Sequence, residues 1–227
     1  MDFNRKAQLI KEITPNVARY LLCLDSTHHN TCVHCICTAY YTLGIVNSIG
    51  DSTTMKSITT HGALLHDIGK TKIPNDLINK ETRLTEDESK LIKAHPVLGA
   101  KILRKDRKIK KEIVKIALFH HERLDGSGYP LGLHAVPLEV SIVSVADVYE
   151  ALTSKRCYKE AYSKEKTISI LIDEAKNNLL SVQLCELMRE EIPLTETERQ
   201  ALYKEVIKIC NAQSMIGYGN EYGKQNI

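Results

Sequence analysis

Three places in this 227-residue chain set metal-binding side chains side by side or strand a carboxylate among apolar neighbours. His66-Asp67 lies in HGALLHDIG, His120-His121 opens HHERLDGSGYP, and Asp147 sits inside VSIVSVADVYEAL. Neighbouring residues on a helix point about 100° apart. Such pairs therefore serve two metals, about 3.5–4 Å apart with the carboxylate between them, better than they serve one. A carboxylate in a run like that around Asp147 is costly to bury unless it is paired or bound to a cation. With His29 and His95, these residues fall near one end or face of five predicted helices. Imidazole and carboxylate together suit Fe, Mn or Zn and need no thiolate.

The stretch that follows His120-His121 cannot continue a helix. Gly126 and Gly128 open backbone angles closed to other residues, and Pro130 fixes the exit direction. The expectation is a loop that presents Tyr129 beside the metals, its hydroxyl free to donate to a phosphate. Taken alone, the loop would read as an ordinary surface turn. The rival to the metal set is HHNTCVHCIC, where cysteine and histidine spacing could hold zinc. That stretch reads as one helix on which Cys32 and Cys35 share a face and Cys37 points elsewhere, so buried reduced thiols are expected there.

The elements that must position these residues are all helical. Helical spacing covers 1–24, with Pro15 opening a second helix, and 29–44, ended by Gly44. A helix over 56–69 closes at Gly69, and the capping box Thr85/Glu88 opens one over 86–103. Further helices cover 111–121, 139–153, 163–178, 181–190 and 195–212, the last opened by Thr195/Glu198. The end, GYGNEYGKQNI, reads as a flexible tail. No strand pattern and no internal repeat emerges.

Composition is that of a globular chain, 43% hydrophobic and 26% charged, with no Trp and two Phe. A net charge of +3 is too small to argue for a nucleic-acid polymer. No run of eighteen apolar residues predicts a membrane span. The N-terminus lacks a signal-peptide pattern, and seven cysteines is an odd number. A cytoplasmic protein with reduced thiols is expected.

The motifs HDIGKTKIP (66–74), RLTEDE…H (83–95), HHERLDGSGYPLGL (120–133) and VADVYEALTSKRCYKEAYS (145–163) together resemble the HD-GYP domain, a branch of the HD phosphohydrolase superfamily. The resemblance covers about residues 25–178. It implies an all-α HD-domain helical bundle with a GYP loop and flanking N- and C-terminal helices. The divisions expected are 1–24 as a helical extension, 25–195 as the catalytic domain, and 196–227 as a C-terminal helix and flexible tail.

The resemblance also implies roles. His29, His66, Asp67, His95, His120, His121 and Asp147 match metal ligands, with His28 a rival to His29. Asp25 stands where a third-metal glutamate occurs, which leaves two or three divalent metals, Fe or Mn, open. Lys70 matches the lysine over the metals; Tyr129, Arg156 and Lys159 match substrate contacts. The activity implied is hydrolysis of cyclic di-GMP to linear 5′-pGpG, or onward to GMP, by hydroxide attack on phosphorus at a two-metal centre. Asp67 and Lys70 are the catalytic pair in that scheme. The alternatives are hydrolysis of another cyclic dinucleotide, or a non-catalytic module that binds a dinucleotide or docks a partner. The GYP loop is a docking site for a signalling protein in some members. The departures are Cys157 for the family's proline, Thr82-Arg83 for proline-glycine, and a missing Phe-Asp-Pro signature. With no sensor stretch ahead of the catalytic motifs, control by a partner or by the N-terminal helices is the expectation.

Overall fold

The computed structural model describes residues 1–50, 52–155 and 160–221, the side chains of 215–221 excepted. Among the described residues the chain is helical, with no strand. The helices are α1 (Phe3–Lys11), α2 (Pro15–Thr27), α3 (His29–Ile49), α4 (Thr53–Leu65), α5 (Asn75–Ile78), α6 (Glu86–Lys93), α7 (His95–Leu103), α8 (Lys111–Phe119), α9 (Leu138–Thr153), α10 (Lys164–Lys176), α11 (Val182–Leu187) and α12 (Glu196–Glu221). This is the expected all-α bundle.

Helix α3 is the axis of the bundle. Every residue from Thr31 to Val46 is buried, so this helix has no solvent face. α2, α4, α9 and α12 pack around it. It is the one described helix long and apolar enough to cross a bilayer, and its apolar surface is spent inside the protein. The helix does not stop at Gly44, as its spacing suggested. It runs on to Ile49, where Gly50 takes the left-handed conformation at φ 68°. Gly44 is instead a packing position, covered by the side chains of Arg5 and Glu191, which pair at 2.5 Å.

Two other expected helices are interrupted, and both interruptions make site residues. The 56–69 helix ends at Leu65, and Gly69 falls within a 3-10 turn over Ile68–Lys72. The 86–103 helix breaks at Ala94 into α6 and α7, with Pro96 in the first turn of α7. The Thr85/Glu88 capping box is present, as are reciprocal bonds between Thr195 and Glu198.

The two ends of the chain clasp each other. The Met1 ammonium lies 2.5 Å from Glu198, Lys6 lies 2.8 Å from Glu205, and α12 lies along α2. Among the described residues, no group placed to hold a metal includes a cysteine of α3. Burial pushes the thiols of Cys35 and Cys37 upward, Cys37 to about 12, which keeps them as protonated, small apolar side chains.

Candidate metal centre and the cleft above it

Three histidines reach the centre by the same local device. The Nδ1 of His66 lies 2.7 Å from the carbonyl of Ala63, that of His95 2.7 Å from Ile92, and that of His120 3.0 Å from Ala117. Each partner is the carbonyl three residues back, at the end of α4, α6 or α8, where carbonyls have lost their intrahelical donors. A carbonyl only accepts, so each Nδ1 carries the proton. Each Nε2 is then a bare lone pair, and all three face inward. The broken helices are what make this possible.

These lone pairs meet carboxylates. His95 Nε2 stands 3.1 Å from Asp67 Oδ1, His66 Nε2 3.6 Å from Asp67 Oδ2 and 3.7 Å from Asp147 Oδ1. His95 and His120 face each other Nε2 to Nε2 at 3.2 Å. His66 Nε2 and Asp67 Oδ1 are buried with no hydrogen-bond donor. Buried acceptors facing acceptors cost free energy unless a cation lies among them. Among the described residues, His95/His120/His121, His34/His66/Asp67 and His66/His120/Asp147 form three overlapping groups able to hold a metal. The overlap through His66 and His120 fits two adjacent cations. Nitrogen and carboxylate oxygen are the donors, which suits Fe, Mn or Zn.

Electrostatics agree with a cation site. Burial drives His66 down; burial and the neighbouring histidines drive His120 well down. Burial pushes His121 to about 3. Burial alone would raise Asp67 and Asp147. Lys70 and the histidines around Asp67, and His34 and its neighbours around Asp147, outweigh it and hold both well below the carboxylate range. His66, His120 and His121 are thus held as neutral imidazoles, and Asp67 and Asp147 as charged carboxylates, the forms a metal needs.

His29 is not brought to this centre. It is half exposed at the first turn of α3, its Nδ1 3.0 Å from Asp25 and its ring against Tyr203 of α12. Asp25 in turn accepts the Tyr203 hydroxyl at 3.0 Å. His28 is buried but bonds Asn75. The residue of α3 that enters the centre is His34, whose Nε2 lies 2.9 Å from Asp147 Oδ1. Five residues on from His29, it points about 140° further round the helix. The sequence signal for it was a lone imidazole in the apolar run CVHCIC, a buried polar group that must find partners. Here Glu150 and Asp147 supply them, and although burial opposes it they raise His34 to about 9.

The Gly-rich loop is held by a residue the motif reading passed over. Glu122 is buried, and its carboxylate accepts the Leu131 N–H at 2.7 Å and the Leu133 N–H at 2.8 Å. Tyr129 donates its N–H to the His121 carbonyl and stacks on the His121 ring, centroids 4.7 Å apart. Burial and the two aspartates push its phenol upward, so it keeps its proton and remains a donor. Lys70 bonds Asp67 and stands at the rim of a cleft of about 610 Å³. His34, His95, His121 and Tyr129 line the same cleft, and Glu196, Arg199 and Gln200 of α12 form another part of its wall. That volume suits a small-molecule ligand. Arg156 and Lys159, expected as substrate contacts, lie outside the described residues.

An all-α bundle with a buried His/Asp centre at helix ends defines a helical metal-site protein. The HD domain model matches residues 25–180, and the chain belongs to that family. The HDIGK and GYP motifs place it in the HD-GYP branch. It is similar to the cyclic di-GMP phosphodiesterase response regulator RpfG of Xanthomonas campestris, 43% identical over 130 residues, 56% of this chain and 34% of that protein. A 3′3′-cGAMP-specific phosphodiesterase of Vibrio cholerae is 30% identical over 183 residues, 79% of this chain and 34% of that protein. The chain thus spans about a third of the length of these relatives. The HD domain of phosphodiesterase PgpH from Listeria monocytogenes, solved with cyclic-di-AMP, superposes with a TM-score of 0.57 at 21% identity. The match covers 86% of this chain and 96% of that one, and it supports the fold.

Proposed function

We propose that this chain is a metal-dependent phosphodiesterase that hydrolyses cyclic di-GMP to linear 5′-pGpG. The observation that carries the proposal is the ring of proton-free His66, His95 and His120 nitrogens around Asp67 under an open cleft. His66, Asp67, His95, His120, His121 and Asp147 would hold two divalent cations, Fe or Mn. When bound, the cations would make water nucleophilic near neutral pH and neutralise the phosphoryl group.

The chain's own residues do the rest. Lys70 Nζ, fixed on Asp67, meets the negative charge that grows on the phosphoryl oxygens. Tyr129 donates its hydroxyl proton towards a phosphate oxygen while its ring stays packed on His121. Water oxygen bonds to phosphorus, the bond from phosphorus to the ribose 3′ oxygen breaks, and that oxygen takes a proton.

The test is turnover of cyclic di-GMP by protein prepared anaerobically with Fe(II) or Mn(II), beside Asp67→Ala, with metals counted on the same samples. 3′3′-cGAMP and cyclic di-AMP are run in parallel. Turnover of cyclic di-GMP that vanishes in the variant is expected. Full metal loading with preference for another dinucleotide would move the substrate; loading without any turnover would make the chain a binding module.

A further inference from the structure

We propose that Glu196 of α12, steadied by Gln200, accepts hydrogen bonds from a guanine base of the substrate and so sets the base preference of the cleft. The proposal rests on the phosphodiesterase reading above and names the part of that site which chooses the base.

The cleft over the metal centre carries its charge unevenly. Lys70, Lys80 and Arg83 bring three cations to it against one acid, Glu81, along the side built by the 3-10 turn and residues 77–84. Lys80 is held by both oxygens of Glu88, at 2.6 and 2.7 Å. The exposed Arg83 has no acidic partner among the described residues, so its charge is open to a ligand. Phosphate belongs on this side. Where α12 closes the cleft, the lining is Glu196, Arg199 and Gln200. The charge of Arg199 is already committed, because its Nη2 donates to the buried carboxylate of Glu150. Its Nε stands 3.7 Å from Glu196 Oε2, beyond hydrogen-bond length. Glu196 is therefore the open charge of this wall, and it is negative. It repels phosphate and attracts hydrogen-bond donors.

Glu196 is also held in place. Gln200, one helical turn on, donates its Nε2 to Glu196 Oε1 at 2.9 Å. The side chain is 65% exposed, so both oxygens keep lone pairs for a ligand. The Watson–Crick edge of guanine offers two adjacent donors, N1–H and the 2-amino group, and a carboxylate can accept both in parallel. Adenine offers the 6-amino group beside a bare N1 lone pair, and a carboxylate facing that edge meets an acceptor. Sites that hydrogen-bond a donor reject analogues that lack it. The metals, Lys70 and Tyr129 address phosphate, which is the same in every cyclic dinucleotide, so they do not choose the base. Glu196 and Gln200 lie beyond residues 25–180 that match the family.

The test uses the full, Mn(II)-loaded chain and reads a ratio. Values of kcat/KM for cyclic di-GMP, 3′3′-cGAMP and cyclic di-AMP are measured for wild type, Glu196→Gln and Gln200→Ala. Wild type is expected to favour the guanine-bearing substrates over cyclic di-AMP. Glu196→Gln, equal in size, is expected to lower that preference by about 5–100-fold, the range for one good bidentate contact to a base, chiefly through KM. Gln200→Ala should lower it less, since the carboxylate remains but loses its tether; an unchanged ratio there would strike Gln200 from the proposal. An equal loss on all three substrates in Glu196→Gln, the mark of a ribose contact or of structural damage, would overturn it. So would a wild type that favours cyclic di-AMP, although hydrolysis of a cyclic dinucleotide would then stand.

If wild type turns over none of the three, the phosphodiesterase reading falls. The same ratio is then read from dissociation constants on the same metal-loaded samples. Guanine preference that Glu196→Gln removes would uphold the base contact in a binding module; equal binding of all three would overturn it.

Discussion

His95 and His120 face each other Nε2 to Nε2 at 3.2 Å, and neither has a proton to give, because each has committed its proton through Nδ1 to a carbonyl. Two lone pairs at that distance repel. The fold holds them there by the ends of α6 and α8, and a cation held between them would turn the repulsion into binding.

Metal should therefore stabilise the protein. At Mn(II) one-hundred-fold above its Kd, the folded state gains about 2.7 kcal/mol by mass action. Thermal melts with Mn(II) and with chelator should differ by several degrees, and His120→Ala should abolish the difference. Superimposable melts for wild type would remove the centre.

The metal-free protein should be most stable near pH 6.5, the ordinary value for histidine. His121, at about 3 when folded, takes its proton only on unfolding as pH falls below that value, so acid favours the unfolded chain. His66 and His120 push the same way. His34, at about 9, does the reverse: its contribution is complete below the ordinary value and is lost as pH rises towards about 9. Chemical denaturation from pH 4 to 10 checks this. His34→Gln should flatten the alkaline limb, and an unchanged limb would dissociate His34 from it.

Glu122→Gln should loosen the loop without touching the metals. The carboxylate accepts two backbone N–H groups, whereas an amide offers one acceptor and turns a donor on the other. Loss of one charge-assisted bond is worth about 1.5–3 kcal/mol. A rise in KM of about tenfold or more, with the metal count unchanged, is the expected signature. An unchanged KM would mean that Tyr129 does not depend on this tie.

Lys70→Met should lower kcat by about 10²–10³, the usual loss when one donor to a developing charge is removed. Steady-state kinetics on fully metal-loaded protein would show it. A fall explained wholly by KM would make Lys70 a binding group instead.

Gly69→Ala should damage the centre through the backbone. An added Cβ there would sit 1.9 Å from the His95 carbonyl oxygen and 2.5 Å from the Gly99 nitrogen. The 3-10 turn must then part from α7, which separates Asp67 from His95. Overpacking of this kind costs about 1–3 kcal/mol or more. A lower Tm together with weaker Mn(II) affinity is expected; wild-type values for both would show that the turn has slack.

Much of this was legible in the residues. The helices follow from apolar spacing and from caps such as Thr85/Glu88, which act within a few residues of chain. His66-Asp67, His120-His121 and Asp147 stood out because a paired or stranded polar group in an apolar run must be used for something. Less legible were the breaks at Leu65 and Ala94, since a helix that stops one turn early leaves no strong mark in periodicity.

The choice between His29 and His34 belonged to tertiary structure. Local spacing favours His29, and nothing within ten residues argues otherwise. The decision is made by Glu150 and Arg199, 116 and 165 residues further on, and by Tyr203, which occupies the first turn of α3. The sequence by itself determined which residue types could hold metal and where helices would carry them. Which imidazole turns inward was set by long-range packing, because a buried ring is oriented by the partner of its second nitrogen, and that partner is distant in the chain.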